Sequence, residues 1–543
     1  TVASCSGLWE MMASGSMGVA ALILNARNRR IKPYSLDAVF HGKLLPLVVG
    51  LRRAIQLRVW DRIAVSKLFF TWLAFASSKG CALPKNALKR VLLVNPNTCD
   101  NPYPVFPLGI AYVDAALKRA GVEARVVDLN LDGIEGVFRA LKEYDPDWIA
   151  LSLRNIDDVR ISVREFFVNA IRDFIENLRS LSSAPVILGG SGFSVMPKEI
   201  YGYCRPDFGI AGEGEEALVN LIEGHCPASI AGLVYMDASG EIRANPVRAY
   251  SGFKTDVPFR DPRLFAHYLT DGGMANLQTQ RGCPLHCCYC TYPVIEGRSY
   301  RKRDGKSIAD EFESFKAMGA RYVFIVDSVF NTSEAHVRGI CEELVARGSP
   351  LPWGCFMRPK HLTRELVGLL KASGLKHVEF GSDSLCDAVL KSYRKDFTFE
   401  DIRRSSELML DAGIDFCHFI IFGGPGETAE TLSESFENSR QIHHGLFFPS
   451  IGMRVYPRTS LHRVSVSEGG SSDESELLKP SYYIAPGLTE AGLMGRISEF
   501  AHQSANWVDL EHSPAFDEIS RRLRRKGVVG PLWNYLSVLR RLS

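Results

Sequence analysis

Short apolar segments alternate with helical segments through most of this chain, and this alternation constrains the fold more than any other feature. From Arg90 onward, "VLLVNP" ends in turn residues, and "PLGIAYVDAALKRAG" has proline at its start and glycine after its end, as helices do. Alternating strands and helices predict parallel sheets, because each helix carries the chain back to the start of the next strand. We therefore expect an α/β protein.

The first series contains five predicted strands and indicates a Rossmann-like, doubly wound sheet. Ligands of such sheets bind beyond the carboxyl ends of the strands, where small residues let a large ligand approach the backbone. The predicted ligand cradle at those ends consists of Asn95, Arg154, Asn155, Gly189, Gly190, Ser191, Gly192, Gly212, Glu213 and Gly214. The turn after the first strand lacks the GxGxxG pattern of dinucleotide-binding folds, which disfavours NAD.

A second series of six strands follows from about residue 273. The predicted strands are "ANLQTQRG", "YVFIVDS", "PWGCFMR", "HVEFGSDS", "DFCHFIIFGGPG" and "IGMRVYP". Six strand–helix units suit a partial (β/α)6 barrel, whose chemistry is expected at the carboxyl ends of its strands.

Four cysteines lie within eight residues just after the first strand of this second series. Cys283, Cys287 and Cys290 have CxxxCxxC spacing, and Cys288 is an extra thiol. A structural zinc site normally takes four ligands, whereas three cysteines on an iron–sulfur cube leave one iron open for chemistry. The position at a strand end favours the working cluster, with Cys288 as a bystander. A zinc knuckle is the structural alternative.

The cysteine spacing and the aromatic Tyr289 before the last cysteine resemble the radical S-adenosylmethionine (SAM) superfamily. The resemblance implies a [4Fe–4S] cluster on Cys283, Cys287 and Cys290. It also implies that the open iron chelates SAM, that Tyr289 lies near the adenine, and that one electron from the cluster yields a 5′-deoxyadenosyl radical. A dry barrel would protect such a radical from side reactions.

Further segments of the second series resemble the same superfamily. In "VEFGSDSL", Ser382 and Asp383 would meet the polar groups of SAM, although relatives often carry Glu where Asp383 stands. In "FIIFGGPGET", Gly423 and Gly424 would allow close backbone approach, and "MRVYP" resembles the sixth strand. Arg358, at the end of "CFMR", fits either a carboxylate clamp or a surface cation.

The first domain resembles that of the cobalamin-binding subfamily, and in particular the class B radical SAM methyltransferases. The similar segments are "NPNTCDNPYPVFPLGIAYVDAAL", "VILGGSGFSVMP" and "GIAGEGEEAL". The resemblance implies bound cobalamin, as methylcobalamin, held by the cradle residues. No Asp-x-His-x-x-Gly motif is present, and no histidine occurs between His41 and His225, so this domain offers cobalt no lower imidazole ligand.

The predicted function is methylation of an unactivated carbon of a hydrophobic small molecule or lipid, through methylcobalamin and a 5′-deoxyadenosyl radical. Two alternatives stay open: a cyclase or rearrangement enzyme with the same cofactors, and a non-catalytic cobalamin and iron–sulfur sensor or electron-transfer protein. The expected domains are a basic helical extension (1–88), the cobalamin-binding domain (89–225), a connector (226–272), the partial barrel (273–465) and a helical C-terminal region (466–543).

Charge and apolar patterning set the expected partners. The net charge of +3 gives no reason to expect nucleic acid, and we expect flavodoxin or ferredoxin as the electron donor. No apolar run approaches the roughly 18–20 residues of a spanning helix. Isolated cysteines elsewhere favour a reducing cytoplasm over a disulfide framework. The basic N-terminal extension fits either peripheral membrane contact or packing on the main body.

Overall fold

The computed structural model describes residues 89–99, 103–504, 506–508 and 514–535, with backbone alone at 514–517. This part of the chain contains two large sheets, each with parallel strands at its centre and helices against it. The predicted extension at 1–88 lies outside the described residues, as does the end of the basic C-terminal segment.

The first sheet has seven strands in the order β2-β1-β3-β4-β5-β6-β7. Its first five strands are parallel, as the sequence predicts. They are β1 (Arg90–Asn95), β2 (Glu123–Asp128), β3 (Trp148–Ser152), β4 (Val186–Gly189) and β5 (Phe208–Ile210). The strand order reverses between β1 and β3, and ligands of doubly wound sheets bind outside the strand ends at such a point.

Helices cover both faces of this sheet. The buried positions of strands and helices form two separate apolar clusters, one on each face. The helices are α1 (Leu108–Arg119), α2 (Leu129–Tyr144), α3 (Val168–Leu181), α4 (Ser191–Val195), α5 (Pro197–Cys204) and α6 (Gly214–Ile222).

The sheet continues past residue 225, where the sequence led us to expect a connector. Strands β6 (Leu233–Met236) and β7 (Ile242–Ala244) add to β5 in antiparallel fashion. Both are short, so their apolar pattern is too brief to separate a sheet edge from a linker. Helix α7 (Pro262–Asp271) then leads to the second sheet.

Six parallel strands form the second sheet, in the order β15-β14-β13-β12-β11-β8. The strands of this half of the chain are β8 (Ala275–Leu277), β9 (Gln280–Arg281), β10 (Arg301–Lys302), β11 (Val323–Ile325), β12 (Trp353–Met357), β13 (Leu375–Asp383), β14 (Asp415–Phe422) and β15 (Leu446–Ile451). Strands β9 and β10 make a separate antiparallel ribbon. Within the described residues β8 and β15 do not pair, so the barrel is partial, as predicted.

The sixth barrel strand lies earlier than predicted. We expected it at "IGMRVYP", but the sixth strand is β15, which ends at Ile451. Pro449 lacks an N–H group and argues against a strand, yet it is tolerated here because β15 is at the sheet edge. Gly452 then turns the chain with a φ of +72°. Strand β16 (Met453–Arg454) instead pairs in antiparallel fashion with β17 (Tyr482–Tyr483).

The remaining helices surround the barrel and extend to its C-terminal side. They are α8 (Tyr292–Ile295), α9 (Gly305–Ala317), α10 (Glu334–Ala346), α11 (Arg364–Ala372), α12 (Asp387–Ser392), α13 (Phe399–Ala412), α14 (Ala429–Ser439), α15 (Ser460–Ser467), α16 (Glu490–Gln503) and α17 (Pro514–Arg525). Among the described helices, none is both long and apolar enough to cross a bilayer.

The two sheets share buried contacts. One apolar cluster includes Leu151 of the first sheet together with Tyr393 and Leu461 of the barrel region. The Arg454 guanidinium also pairs with the Asp157 carboxylate at 2.7 Å, and both side chains are almost fully buried. The sheets are therefore packed as one body, which fixes the space between them.

Candidate functional site

A cavity of about 660 Å³ lies between the carboxyl edge of the first sheet and the barrel. All ten predicted cradle residues line it. The barrel side contributes Asn276, Gln278, Thr291 and Tyr292, and the last two directly follow Cys290. The structure therefore brings the cradle and the cysteine loop to one shared space.

Two of the cradle glycines, Gly190 and Gly192, are required by contacts within the protein. Gly190 has a φ of +103°, and a Cβ there would lie 2.4 Å from the Leu153 carbonyl oxygen. A Cβ on Gly192 would lie 3.1 Å from the Arg154 carbonyl oxygen. Glycine thus lets the loop after β4 lie against the loop after β3, and this close packing shapes the cavity wall.

The polar cradle residues divide into those bonded within the protein and those that face the cavity. The Asn95 amide donates to Asp128 at 2.7 Å, and the Ser191 hydroxyl donates to the Arg154 carbonyl oxygen at 2.7 Å. The residues Arg154 and Asn155 are exposed. Tyr292 is 41% exposed, although it lies deep between the two sheets. An open tyrosine ring and exposed polar groups leave room for a large flat ligand, which fits the predicted cobalamin.

No histidine is among the described residues that line the cavity. The wall therefore agrees with the sequence, in which no histidine lies between His41 and His225.

Glu213 lines the cavity, but its carboxylate is already paired within the protein. Its carboxylate pairs with Arg281 at 2.6 Å and Arg301 at 2.5 Å, and it accepts the Tyr250 N–H at 2.6 Å. The sequence did not reveal these partners, because both arginines lie far along the chain in the barrel half.

The cysteine loop runs from Gly282 to Tyr300 and is closed by the β9–β10 ribbon. The Cys283 N–H donates to the Gly297 carbonyl at 3.0 Å, and the Cys290 N–H donates to the Cys287 carbonyl at 3.2 Å. These backbone bonds fold the loop so that its thiols influence one another electrostatically.

The thiols of the cysteine loop lie in a protected environment. Burial raises the pKa of the Cys290 thiol to about 12, with a further contribution from Cys287. Within the described residues, no three His, Cys, Asp or Glu side chains converge closely enough to hold one metal ion. A cube spreads its thiolates more widely than a lone ion does, and it replaces the thiol protons on binding. Cysteine thiolates are the ligands of iron–sulfur clusters, so Cys283, Cys287 and Cys290 form a donor set that fits the predicted [4Fe–4S] cluster.

Cys288 packs away from this group. It is 3% exposed and lies in the apolar cluster that contains Tyr393 and Leu461. Its N–H donates to the Tyr393 carbonyl at 3.1 Å, and its carbonyl accepts the Leu461 N–H at 2.8 Å. This packing agrees with the interpretation of Cys288 as a bystander.

A buried lysine that the sequence analysis missed lies beside the cysteine loop. The Lys395 ammonium pairs with Asp383, and the Tyr289 hydroxyl donates to the same carboxylate. Burial opposes the charge of Lys395, but Asp383 and Cys287 together raise the pKa of its ammonium above the ordinary value. In the sequence, "SYRKDF" looks like an ordinary charged turn, so no signal marked this residue.

Asp383 has a strained backbone. Its φ is +62°, and β13 shifts register against β14 between Phe380 and Asp383. A non-glycine residue in this region costs about 1–3 kcal/mol, and such strain is concentrated at functional sites. The strain supports the predicted role of Asp383 beside the cluster.

Arg358 lies on the other side of the cysteine loop. Its guanidinium pairs with Asp396 at 2.6 Å, and its Nε is buried with no hydrogen-bond partner among the described residues. The Tyr300 hydroxyl contacts the Cys283 thiol and lies near Arg358. An unsatisfied guanidinium N–H favours the carboxylate-clamp interpretation over a surface cation.

Three residues predicted to bind SAM also have contacts within the protein. Ser382 points from β13 into the helical layer, where its hydroxyl lies 2.8 Å from His418 Nδ1. Ser382 and Asp383 are adjacent in a strand, so their side chains leave on opposite faces. A Cβ on Gly424 would lie 2.4 Å from the Tyr393 ring, and one on Gly423 would lie 2.9 Å from Leu493. The "GGPGE" glycines thus serve packing.

Two protein families match the two halves of the described chain. The B12 binding domain matches residues 100–222, and the Radical SAM superfamily matches residues 277–438. The matches cover β2 to β5 of the first sheet and the barrel strands β11 to β14, so they agree with the predicted fold and with the resemblance noted in the sequence.

Individual relatives match this chain over long stretches. Tryptophan 2-C-methyltransferase of Streptomyces laurentii is 26% identical over 444 residues, 68% of this chain and 73% of its own length. Anaerobic magnesium-protoporphyrin IX monomethyl ester cyclase of Cereibacter sphaeroides is 26% identical over 349 residues, 61% of this chain and 55% of its own length. A structure of the radical SAM methyltransferase TsrM from Kitasatospora setae, with tryptophan substrate and a SAM analogue bound, superimposes with a TM-score of 0.74. It is 25% identical, and the match covers 84% of this chain and 98% of that one.

Proposed function

We infer that this chain, which joins a B12-binding domain to a radical SAM domain, is a cobalamin-dependent methyltransferase acting on a carbon of a small molecule. The observation that carries the proposal is the single cavity shared by the cradle and by Thr291 and Tyr292, which follow the last motif cysteine. Two reactive centres that must act on one molecule need such a shared, enclosed space.

The [4Fe–4S] cluster would be held by Cys283, Cys287 and Cys290, and SAM would lie between Lys395 and Arg358. A bound cluster supplies the low-potential electron that cleaves the sulfonium of SAM. The zwitterionic end of SAM matches the charges present, since Asp383 can accept from its ammonium while Arg358 or Lys395 pairs with its carboxylate.

Cobalamin would lie against the cradle, with the loops after β3 and β4 as its protein wall. Bound cobalamin supplies a carrier for the methyl group between SAM and the acceptor carbon. The chain's own contribution is to position the carrier between Tyr292 on the barrel side and the exposed Arg154 and Asn155 on the sheet side.

Methyl transfer is favoured over ring formation by the extent of the matches. The chain matches 98% of the TsrM chain and 73% of the tryptophan methyltransferase, against 55% and 65% of two cyclases. Three finer points stay predictions. They are that the acceptor is an unactivated carbon of a hydrophobic molecule, that flavodoxin or ferredoxin donates the electron, and that residues 1–88 contact a membrane.

The test uses anaerobically reconstituted protein with SAM that carries a deuterated methyl group. We expect S-adenosylhomocysteine and cobalamin with a labelled methyl group under reducing conditions, and 5′-deoxyadenosine when the acceptor is present. A pool of hydrophobic small molecules, with tryptophan included, serves as the acceptor set, and product mass identifies the methylated compound.

The Cys290→Ala variant is the control for the cluster. Its 5′-deoxyadenosine should fall to background while its cobalamin content is retained. The proposal is contradicted by wild-type protein that binds both cofactors yet forms neither S-adenosylhomocysteine nor 5′-deoxyadenosine. Formation of 5′-deoxyadenosine with a cyclised, unmethylated product would favour the ring-forming alternative.

A further inference from the structure

Two arginines flank the cysteine loop, one at each end. Arg281 and Arg301 face each other in the antiparallel β9–β10 ribbon, one immediately before and one immediately after the loop from Gly282 to Tyr300. Whatever holds these two side chains therefore fixes both ends of the loop.

Both arginines are held by the first domain. The Arg281 guanidinium lies 2.6 Å from Glu213 and 2.8 Å from Glu215, and Arg301 lies 2.5 Å from the second oxygen of Glu213. Glu213 directly precedes α6 and Glu215 is in its first turn, at the carboxyl edge of the first sheet. The Glu213 carboxylate thus connects both ends of the cysteine loop to the wall of the cavity.

The contact leaves little freedom of movement. The side chains of Arg281, Arg301, Glu213 and Glu215 are at most 10% exposed. The Arg281 guanidinium lies 4.5 Å from the Tyr112 ring centre and 4.3 Å from the Phe253 ring centre, and its Nε donates to Gln278 at 3.0 Å. Arg301 also donates to the carbonyls of Tyr250 and Glu296.

We propose that Arg281, Arg301, Glu213 and Glu215 form an interdomain clamp, a set of positioning residues that fixes the distance between the cysteine loop and the cradle. The proposal rests on the proposed function, because the distance matters only if both sites are loaded. In that function, the clamp would set the distance between the iron–sulfur cluster and cobalamin.

Placement distinguishes the clamp from an ordinary buried ion pair. Buried ion pairs often add no more stability than apolar residues of the same size, and their best-attested role is to fix one arrangement over others. Here the fixed arrangement relates a metal-binding loop to a ligand wall on another domain. Because a misplacement of about 1 Å can reduce a reaction by on the order of 100-fold, such fixing has a chemical consequence.

The test measures geometry directly in the loaded protein. Cobalamin in the cobalt(II) state and the reduced cluster each carry an unpaired electron, so their magnetic interaction in the electron paramagnetic resonance spectrum depends steeply on their separation. We compare wild type with Arg301→Met, whose side chain does not line the cavity, and with Arg281→Lys, which keeps the charge but loses the planar fork.

The expected result is a weakened and broadened interaction in both variants, with iron and cobalt contents equal to wild type. The matched control is Arg260→Lys, which alters the buried Arg260–Glu311 pair of 2.6 Å between the segment before α7 and α9 and should leave the interaction unchanged. An unchanged interaction in both clamp variants overturns the proposal. Loss of either metal from both variants overturns it too, since the residues would then hold a cofactor rather than position it. Wild type that binds no cobalt or no cluster would instead refute the proposed function.

Discussion

At the scale of single residues, the chemistry of the site depends on side chains that lie far from the cysteine motif in sequence. Lys395 reaches the cysteine loop from the turn after α12 and pairs with the strained Asp383. A cation beside thiolate-bound iron stabilises added negative charge, which makes the cluster easier to reduce. Lys395 is therefore the residue whose removal should change the cluster most without changing its ligands.

We predict that Lys395→Met lowers the reduction potential of the cluster. Loss of one buried positive charge a few ångströms away is worth about 1–3 kcal/mol at an effective dielectric constant near 20, or roughly 40–130 mV for one electron. A redox titration followed by electron paramagnetic resonance checks this. Lys306→Met, on the exposed side of α9, is the control and should leave the potential unchanged. An equal potential in Lys395→Met and wild type would contradict the assigned role.

The four clustered cysteines should also differ in whether they are needed to bind iron. We predict that Cys288→Ser keeps the full iron content, whereas Cys283→Ser, Cys287→Ser or Cys290→Ser loses it. Cys288 packs with Tyr393 in the core, so its replacement should lower the free energy of unfolding and spare the cluster. Iron analysis after anaerobic reconstitution measures the iron content of each variant. Iron loss in Cys288→Ser would assign this thiol to the metal site.

The sequence predicted the fold and the cofactors, whereas the individual SAM and cobalamin contacts stay predictions. Strand ends of a parallel sheet meet at one edge, so listing the residues after each strand was enough to find the cavity wall. Ser382 shows why such contacts are harder to predict, because adjacent strand residues face opposite ways and the sequence does not say which one faces inward. Lys395 and the partners of Glu213 depend on tertiary contacts that no local pattern encodes.

At the scale of elements, the segment after α17 fills the inside of the partial barrel. The Trp533 indole N–H donates to the Glu379 carboxyl at 3.0 Å, and the Asn534 amide lies 3.2 Å from His377. Burial raises the pKa of Glu379 to about 7. The sequence predicted only a basic helical region here, because a contact between the chain end and the barrel interior leaves no periodic signal.

This buried carboxyl should make stability depend on pH. The unfolded chain loses the Glu379 proton near pH 4.5, whereas the folded chain retains it until about pH 7. Stability therefore falls as pH rises through this window, by at most roughly 3 kcal/mol from this group. Glu427 and Asp327 have pKa values raised by burial to about 7 as well, so they add to the fall.

We predict that Glu379→Gln, which keeps an acceptor for Trp533, stabilises the chain at pH 8 relative to wild type and has little effect at pH 4.5. Urea unfolding at the two pH values measures the difference. Glu400→Gln, on the exposed face of α13, is the control and should change neither value. If Glu379→Gln were less stable than wild type at pH 8, the carboxyl would be bound as a charge and the account of its pKa would be wrong.

At the scale of the whole molecule, the two sheets form one packed body with the cavity between them. The Asp157–Arg454 pair joins the loop after β3 to β16, and it is distinct from the clamp at the cysteine loop. Domain order was predictable, because each β/α series is visible along the chain. The interface was not, since it is made of side chains whose partners lie about 300 residues away.

We predict that Asp157→Asn lowers the free energy of unfolding by about 3–5 kcal/mol, because Arg454 would remain buried without a counter-charge. Urea unfolding at pH 7 provides the measurement. Asp310→Asn, at an exposed ion pair of α9, is the control and should have no measurable effect. A loss of less than about 1 kcal/mol in Asp157→Asn would mean that water or another group compensates Arg454.

The central claim is that one chain holds an iron–sulfur cluster and cobalamin across a single cavity. Metal analysis of wild-type protein, reconstituted without oxygen and freed of unbound metal, tests this most directly. The account predicts about four irons and one cobalt per chain, with the iron lost and the cobalt retained in the Cys283→Ser variant. Protein that instead contains one zinc ion on these cysteines, or that takes up iron but no cobalt, would contradict it.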